Sequence, residues 1–333
     1  MIELYVTHLQ RVVALLSTVL LLWLASPFAG AAEAPRLAYL VSDLRIPFWR
    51  IMADGAAQRA AELGYRLEIY SADNSARQEL VNTAKALASD PVGLILSPTS
   101  SSAAQTVLEL AAEAGVPVVV ADIGTEAGAY VSYIGSDNEQ GAHELGRLLV
   151  RTLEARGWSE GGVGIVAIPQ SRQNGQARTR GFITALKGTG FTPAGIRQQV
   201  DFSHEETYRF SRELIRAHSD LRAIWLQGSD RYQAALDAIR DAGRAGEILL
   251  VCFDAEPEFI EMIRRGTLVG AAMQQPRLIG ERAVDSLDAY IKGDSVPTRQ
   301  RLPVLVVSRD NLDELLPVIY NNVLGLNMEQ SND

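Results

Sequence analysis

Short apolar runs that each end in a polar loop organise this sequence. The first run, residues 37–41, leads into a loop with a proline and two aromatic residues, and then into a helical pattern. Five later segments repeat this order: 92–100, 116–124, 164–170, 223–230 and 248–256. Parallel strands that are buried on both faces have such continuous apolar runs, and a helix connects each strand to the next. The pattern predicts an α/β fold whose ligand site lies beyond the carboxyl ends of the strands.

The strand and helix patterns form two successive blocks of similar size. The first block extends to about Ser136, and a new series of strand-helix units starts directly after it. At 333 residues, 47% of them hydrophobic, the chain is long enough for two cores. We predict two Rossmann-like, doubly wound parallel-sheet lobes with a ligand between them. The last predicted strand covers residues 303–307, and the polar tail after Tyr320 is expected to be frayed.

Residues 1–31 have the pattern of a secretory signal peptide. Arg11 precedes an apolar stretch, residues 12–25, that is short for a membrane span, and small residues follow up to Ala31. We expect cleavage between Ala31 and Ala32, and a mature protein in the periplasm. The alternative is a retained N-terminal membrane anchor, because the first residues are less basic than is usual for a signal peptide.

Charge and cysteine content exclude several kinds of partner. The formal net charge of −9 disfavours nucleic acid and anionic membranes, since both repel an acidic protein. Cys252, the single cysteine, lies in an apolar run and is interpreted as a small buried residue, with a reactive thiol as the alternative. No cysteine stands directly after the signal region, so we expect no lipid anchor at an N-terminal cysteine.

Asp122 and Asp254 directly follow apolar runs. A carboxylate at the mouth of a parallel sheet can accept hydrogen bonds from adjacent hydroxyl groups, or it can pair with a cation. Either aspartate could instead cap a helix, because Asp is a good N-cap residue. This alternative is stronger for Asp254, since Pro257 indicates a helix start three residues later. We favour the binding role for both.

Other candidate side chains also have structural alternatives. Phe48 and Trp49 open the first predicted helix, where their rings could stack on the CH face of a ligand ring, although core packing is the commoner role. Arg178 could bind two oxygens through its guanidinium fork, whereas a solvated face is the default for it and for its neighbours Arg172 and Arg180. Gln274 ends an apolar run and suits a neutral polar ligand, with a turn residue as the alternative.

Known enzyme and metal motifs are absent from the sequence. There is no G-x-S-x-G, no H-E-x-x-H and no G-x-x-x-x-G-K motif, and the four histidines show no metal-binding spacing. We therefore predict neither catalysis nor a metal or other cofactor.

Seven motifs in collinear order give the chain a family resemblance. They are SDLRIPFW, ILSPT, VVVAD, YIGSDN, ARTRGF, FDAEP and MQQP, and the resemblance covers roughly residues 37–307. This series resembles the periplasmic binding proteins of the ribose-binding type, which share their fold with the ligand-binding core of lactose-repressor-like regulators. The resemblance implies two lobes joined by three hinge crossings near Ser136, Gln275 and Leu302. The N-terminal lobe would comprise residues 35–136 and 276–302, and the C-terminal lobe residues 137–275 and 303–325.

The resemblance also implies a set of ligand-binding residues. Those on the wall of the first lobe would be Ser42, Phe48, Trp49 and Asp122. Those of the second lobe and the hinge would be Arg178, Phe202, Asp254 and Gln274. Phe48 and Phe202 would enclose the ligand between their rings, while Asp122, Arg178, Asp254 and Gln274 would hydrogen-bond to it.

Three positions differ from the ribose-binding pattern. Proteins of the ribose type usually have asparagines where this chain has Ile46, Ser97 and Gly228. The loss of three amides would remove several hydrogen bonds to hydroxyl groups, so we do not expect ribose itself as the ligand. A bulkier or less hydroxylated molecule, or one with an amine cation, would fit these changes, and Asp43, Ser229 or Asp230 could supply replacement contacts.

The family implies a binding role in the periplasm. The leading hypothesis is a monomeric solute-binding protein that captures a sugar or similar small polar molecule and delivers it to the membrane permease of an ABC-type importer. The alternative is a co-receptor of the same fold that docks on a sensor kinase or chemoreceptor. A secreted enzyme is disfavoured because no nucleophile or metal constellation is found.

Overall fold

The computed structural model describes residues 33–326. The predicted signal peptide and its cleavage site lie outside the described residues. Within residues 33–326, no helix combines the length and the apolar character that a membrane span requires.

Twelve strands within the described residues form two six-stranded sheets. The first sheet contains β1 (Arg36–Val41), β2 (Arg66–Ser71), β3 (Gly93–Leu96), β4 (Val118–Ala121), β5 (Ser132–Ser136) and β11 (Arg299–Leu302). The second contains β6 (Gly161–Ala167), β7 (Phe191–Gln198), β8 (Leu221–Leu226), β9 (Leu249–Phe253), β10 (Gly270–Met273) and β12 (Leu305–Val307). Their strand orders are β11-β5-β4-β3-β1-β2 and β12-β10-β9-β8-β6-β7. All pairs are parallel except β10 with β12.

Ten α-helices connect or flank these strands in the described part of the chain. They are α1 (Pro47–Glu62), α2 (Ala76–Ala88), α3 (Ala103–Glu113), α4 (Asn138–Ala155), α5 (Gln173–Leu186), α6 (His204–Ala217), α7 (Tyr232–Asp241), α8 (Phe259–Arg265), α9 (Pro276–Ile291) and α10 (Leu312–Val318). A π-helix, Ile319–Val323, follows the last of them. We call the first sheet with α1, α2, α3 and α9 the first lobe, and the second sheet with the other helices the second lobe.

Both sheets are buried on both faces, as the continuous apolar runs predict. In β1, Leu37 and Tyr39 face one hydrophobic cluster, whereas Ala38 and Leu40 face another. The second sheet likewise separates two clusters. Two parallel-sheet α/β lobes are therefore confirmed as the fold class.

The chain passes between the two sheets three times within the described residues. The passages lie between β5 and α4, between β10 and α9, and between β11 and β12. The lobe limits implied by the family resemblance stay a prediction, which this distribution of strands supports.

The structure corrects the sequence analysis near the C terminus. The predicted strand at residues 303–307 corresponds to β12, but a further strand, β11, directly precedes it and belongs to the other sheet. The sequence of β11, RQRL, is polar and only partly buried, so it has no apolar run to reveal it. The expected fraying after Tyr320 is also wrong up to residue 326, because Val323 and Leu324 are buried in the second lobe.

Close helix packing fixes the positions of the helices that lead to the interlobe cleft. In the first lobe, a Cβ added at Gly280 of α9 would lie 2.1 Å from the carbonyl oxygen of Met52 on α1. In the second lobe, a Cβ added at Gly181 of α5 would lie 2.0 Å from the carbonyl oxygen of Glu139 on α4. Only glycine permits these approaches, so the two helices of each pair are held at a short distance from each other.

We expect Gly280→Ala to lower the free energy of unfolding. Overpacking of this kind costs about 1–3 kcal/mol, and the better helix propensity of alanine regains at most about 1 kcal/mol. Urea unfolding monitored by circular dichroism would measure the change. Arg282→Ala, at an exposed position two residues further along α9, is the control and should change stability by less than about 0.5 kcal/mol. An unchanged or higher stability of Gly280→Ala would contradict the close approach.

Candidate ligand-binding site

A small cavity of about 40 Å³ lies between the lobes, at the carboxyl ends of the strands. Its lining comes from both lobes and from seven loops or helix starts. The lining residues are Ile46, Phe48, Trp49, Asp122, Ile168, Arg172, Asn174, Arg178, Phe202, Gly228, Asp230, Asp254 and Gln274. Seven of the eight residues that the resemblance implies are therefore brought together here, and Ser42 is not among them.

The two aspartates occupy equivalent positions in the two lobes. Asp122 directly follows β4 and Asp254 directly follows β9, and their φ angles are +61° and +66°. Their backbone N–H groups donate to neighbouring strands, at 2.8 Å to the carbonyl of Ile134 and at 2.9 Å to that of Ala272. Non-glycine residues rarely adopt this left-handed conformation, and it concentrates at functional sites. It directs both carboxylates away from the sheets and into the cleft.

Asp254 does not cap the following helix. Helix α8 begins at Phe259, later than Pro257 suggests, and its N-cap residue is Glu258. The carboxylate of Asp254 instead accepts a 2.6 Å hydrogen bond from Nε2 of Gln274. The capping alternative is therefore wrong for Asp254.

Arg178 is buried beneath the cleft and is not on a solvated face. Its Nε donates to Oδ1 of Asn138 at 2.7 Å, and its Nη1 donates to the carbonyl of Gln227 at 2.6 Å. Nη1 also lies 3.5 Å from Oδ2 of Asp254, and the guanidinium group stacks on Phe253 at 3.9 Å. Its side chain is only 3% exposed. Arg180, by contrast, is exposed and pairs with Glu139.

The aromatic residues form the apolar part of the wall. Phe48 and Trp49 contact each other edge to face, with ring centroids 5.1 Å apart. Trp49 is 4% exposed and belongs to the core of the first lobe, so it combines the core and cleft positions that the sequence left as alternatives. Phe202 lies on the opposite side in the second lobe with a φ of +53°.

Four residues that the sequence analysis named as ligand contacts, departures or replacement contacts lie outside the cavity wall: Ser42, Asp43, Ser97 and Ser229. The hydroxyl of Ser42 donates to Oδ1 of Asn74 at 3.0 Å and accepts from Nη2 of Arg172 at 3.2 Å, so its hydrogen bonds are with protein groups. Ser97 is fully buried and bonds to the hydroxyl of Tyr39 at 2.9 Å. Of the three departures from the ribose-type pattern, Ile46 and Gly228 do face the cavity.

Sequence reasoning missed two polar residues of the wall. Asn174 was not singled out, and Arg172 was considered only as a neighbour of Arg178. Arg172 ends the loop that follows the apolar run of β6, and Asn174 lies in the first turn of α5 directly after it. The rule that identified Asp122 and Asp254, a polar group after an apolar run, would have identified this loop as well.

A larger cavity, of about 590 Å³, lies beside the cleft. It is lined by polar residues of β11 and of the starts of α4 and α5, and it shares only Asn174 with the smaller one. We place the candidate site in the smaller cavity because buried, unpartnered acceptors from both lobes face it, whereas among the described residues the larger cavity has one such atom, Oγ of Ser136, in its wall. The acceptors at the smaller cavity are Oδ1 of Asp122 and Oε1 of Gln274, which have no hydrogen-bond partner among the described residues.

Residues 37–295 match the model of the periplasmic binding protein domain family. The chain belongs to this family. The match covers more than two thirds of the sequence and confirms the resemblance seen in the seven motifs.

Individual relatives of this periplasmic binding protein are sugar-binding proteins. It is 29% identical to the ribose import binding protein of Haemophilus influenzae over 300 residues, which cover 90% of this chain and all of that protein. It is 28% identical to the D-apiose import binding protein of Paraburkholderia graminis over 312 residues, which cover 92% and 97% of the two chains.

Solved structures show the same fold. A carbohydrate transporter solute-binding protein from Agrobacterium radiobacter, in complex with D-arabinose, superposes with a TM-score of 0.80 at 21% identity. The superposition covers 88% of this chain and all of that one.

Burial dominates the electrostatics of this binding protein's cleft. It raises the pKa of Asp122 to about 6, against the attraction of Arg178, and it raises the pKa of Asp230 to about 6 and that of Asp254 as well. It also lowers the pKa of the Arg172 guanidinium to about 10. The cleft thus combines desolvated carboxylates with two buried guanidinium groups. No cluster of metal-binding side chains occurs within residues 33–326.

We expect Asp122→Asn to stabilise the folded protein at neutral pH. The pKa of Asp122 rises from an ordinary value of 3.8 to about 6 on folding, so its contribution to stability is full below pH 4 and is lost as the pH rises through 6. The loss corresponds to about 2–3 kcal/mol, because one pH unit corresponds to about 1.4 kcal/mol. Urea unfolding from pH 3.5 to 7.5 should show a difference between variant and wild type that grows with pH.

Asp237→Asn is the matched control for this measurement. Hydrogen bonding by Gln233 lowers the pKa of Asp237, so the neutral amide should not stabilise the protein at pH 7.5. Equal pH dependence of wild type and Asp122→Asn would show that Asp122 is not desolvated in the folded protein.

Proposed function

We propose that this protein is a solute-binding protein that captures a sugar or similar small polar molecule and delivers it to the permease of an ABC-type importer. The observation that carries the proposal is the pair of buried, unpartnered acceptors on Asp122 and Gln274. A buried acceptor without a donor is costly, and the hydroxyl groups of a sugar would satisfy both. The import binding proteins among its relatives support the same role.

The proposed ligand contacts divide between polar and apolar groups. Asp122, Asp254 and Gln274 would accept hydrogen bonds from hydroxyl groups, and Nη2 of Arg178 would donate one to a ligand oxygen. Phe48 and Phe202 would pack on the two faces of the ligand ring, with Trp49 beside them. Ile46 and Gly228 replace amides in the wall, which supports a ligand other than ribose.

Binding would require the lobes to separate and close again. The cavity of about 40 Å³ is walled by both lobes, so a sugar would enter while the lobes are apart. We propose that opening occurs at the three passages near Ser136, Gln275 and Leu302, which divide the lobes at the limits the resemblance implies. Closure around the ligand would remove water from the polar contacts and sharpen specificity.

The proposed place of action is the periplasm. Residues 1–31 would direct export as a cleavable signal peptide, and the mature chain would act as a monomer. A role as co-receptor for a sensor kinase stays a prediction. Uptake of a radiolabelled ligand in cells with and without the gene would separate transport from signalling.

We expect a sugar to raise the melting temperature of the mature protein. At 100 times its dissociation constant, a ligand adds about 2.7 kcal/mol to the free energy of unfolding. A thermal-shift panel of D-ribose, D-apiose, D-arabinose, further hexoses, polyols and amines would test this, with D-ribose expected to give little or no shift. No shift with any compound would contradict the proposed function.

We expect Arg178→Lys to weaken the ligand-induced shift strongly. Lysine keeps the positive charge near Asp254 but cannot form the forked contacts of a guanidinium group, so affinity should fall at least about tenfold. Arg180→Lys is the matched control, since Arg180 lies two residues further along the same helix and is exposed. Equal shifts in the two variants would exclude Arg178 from the site.

A further inference from the structure

The loop at residues 171–174 links the two lobes directly. It belongs to the second lobe and comprises the end of the loop after β6 with the first two residues of α5, and we call it the latch loop. The backbone N–H of Gln173 donates to the hydroxyl of Ser101 at 3.0 Å, and its side chain donates to the carbonyl of Thr125 at 2.9 Å. Asn174 donates to Oδ2 of Asp122 at 3.1 Å. All three acceptors belong to the first lobe.

Arg172 is the most deeply inserted residue of the latch loop. Its Nε donates to the carbonyl of Thr99 at 3.1 Å, and its Nη2 donates to Ser42 at 3.2 Å and to Oδ1 of Asn74 at 2.8 Å. These acceptors follow β3, β1 and β2 of the first lobe. Arg172 itself is 5% exposed, and its guanidinium group lies 5.7 Å from the ring centre of Phe202 in its own lobe.

The acceptors of Arg172 are neutral groups of the first lobe. In the described residues, Arg172 forms no ion pair within 4 Å, although the charge of Asp122 attracts it. Hydrogen bonds from a charged donor are stronger than those between neutral groups, so three of them at a buried site can hold two surfaces together. Opening of the lobes would break all three and return the guanidinium group to water.

We propose that Arg172 is a positioning residue that fastens the lobes in the closed state and thereby sets ligand affinity. Its bonds run to groups of the first lobe, so they favour closure before a ligand is bound as well as after. A population shift of this kind raises the apparent affinity, because less of the binding free energy is used to close the cleft. The effect of Arg172 on ligand affinity rests on the proposed function. Its effect on closure of the lobes does not depend on that function.

The occupied hydroxyl of Ser42 supports this assignment. Family resemblance places Ser42 among the ligand contacts, but in this chain Arg172 and Asn74 engage it. The side chain of Asn74 is held by a hydrogen bond of 2.8 Å from its Nδ2 to Oδ2 of Asp43, and the φ angle of Asn74 is +60°. The first lobe thus provides hydrogen-bond acceptors for the guanidinium group from three separate strand ends. We call these acceptors the socket.

Small-angle X-ray scattering of the sugar-free protein tests the latch directly. We expect Arg172→Ala to increase the radius of gyration relative to wild type, while Arg180→Ala leaves it unchanged. Asn74→Gly removes an acceptor of Arg172 from the first lobe, and glycine tolerates the left-handed backbone at this position. We expect this variant to show the same increase in the radius of gyration. Expansion in both variants supports the latch. Identical scattering of wild type, Arg172→Ala and Asn74→Gly would overturn it, provided that circular dichroism shows all three to be folded.

A double-mutant cycle separates the latch from a general loss of stability. If Arg172 acts through Asn74, the double variant should expand no further than either single variant, whereas independent effects would add. Additive expansion would overturn the proposed contact.

The effect on affinity is measured with whichever of D-ribose, D-apiose and D-arabinose stabilises the wild type. We expect Arg172→Ala and Asn74→Gly to accelerate its dissociation by about tenfold or more, which corresponds to about 1.4 kcal/mol. Asn74 does not line the cavity, so a direct ligand contact by Arg172 would leave the Asn74→Gly rate unchanged. If no sugar stabilises the wild type, the proposed function fails while the scattering result still decides the latch.

Discussion

The removal of charged groups from water is the constraint on which the cleft depends. Asp122, Asp230 and Asp254 are carboxylates buried near two guanidinium groups, and burial shifts the pKa of each carboxylate upward. Such groups lower stability unless opposite charges and hydrogen bonds surround them. Arg178 supplies this in the second lobe through its contacts with Asp254 and Gln227. The buried carboxylates therefore lower the free energy of unfolding, and they provide hydrogen-bond acceptors for a ligand.

The backbone at the strand ends determines where these groups point. Asp122, Asp254 and Phe202 all have a positive φ, in one lobe or the other. Asp122 and Asp254 directly follow their strands, so this turn of the backbone directs their side chains out of the sheet toward the opposite lobe, whereas Phe202 lies four residues after β7. Because glycines bring α9 onto α1 and α5 onto α4 at very short distances, the helices beside these turns are held firmly. The recognition groups are thus fixed within each lobe, and their relative distance changes only when the lobes move.

Contacts of the latch loop join the two lobes in addition to the hinge. The latch loop places Arg172 in a socket of the first lobe and Asn174 on the carboxylate of Asp122. One oxygen of Asp122 is thereby occupied by protein, which leaves the other for a ligand. Closure and recognition are coupled at this carboxylate, because the same loop that fastens the lobes also orients the acceptor.

The sequence alone determined the class of fold and most of the cleft. Buried parallel strands require unbroken apolar runs, so the run before Asp122 and the one before Asp254 revealed both the sheets and the polar groups at their ends. The strand β11 left no such signal, because RQRL is a polar edge strand whose pairing is set by the sheet beside it. Only the tertiary structure decided that Arg172 crosses to the first lobe and that Ser42 serves as its partner. Those contacts join residues that are 130 positions apart in the chain, and their geometry depends on how the two lobes meet, which no local pattern encodes.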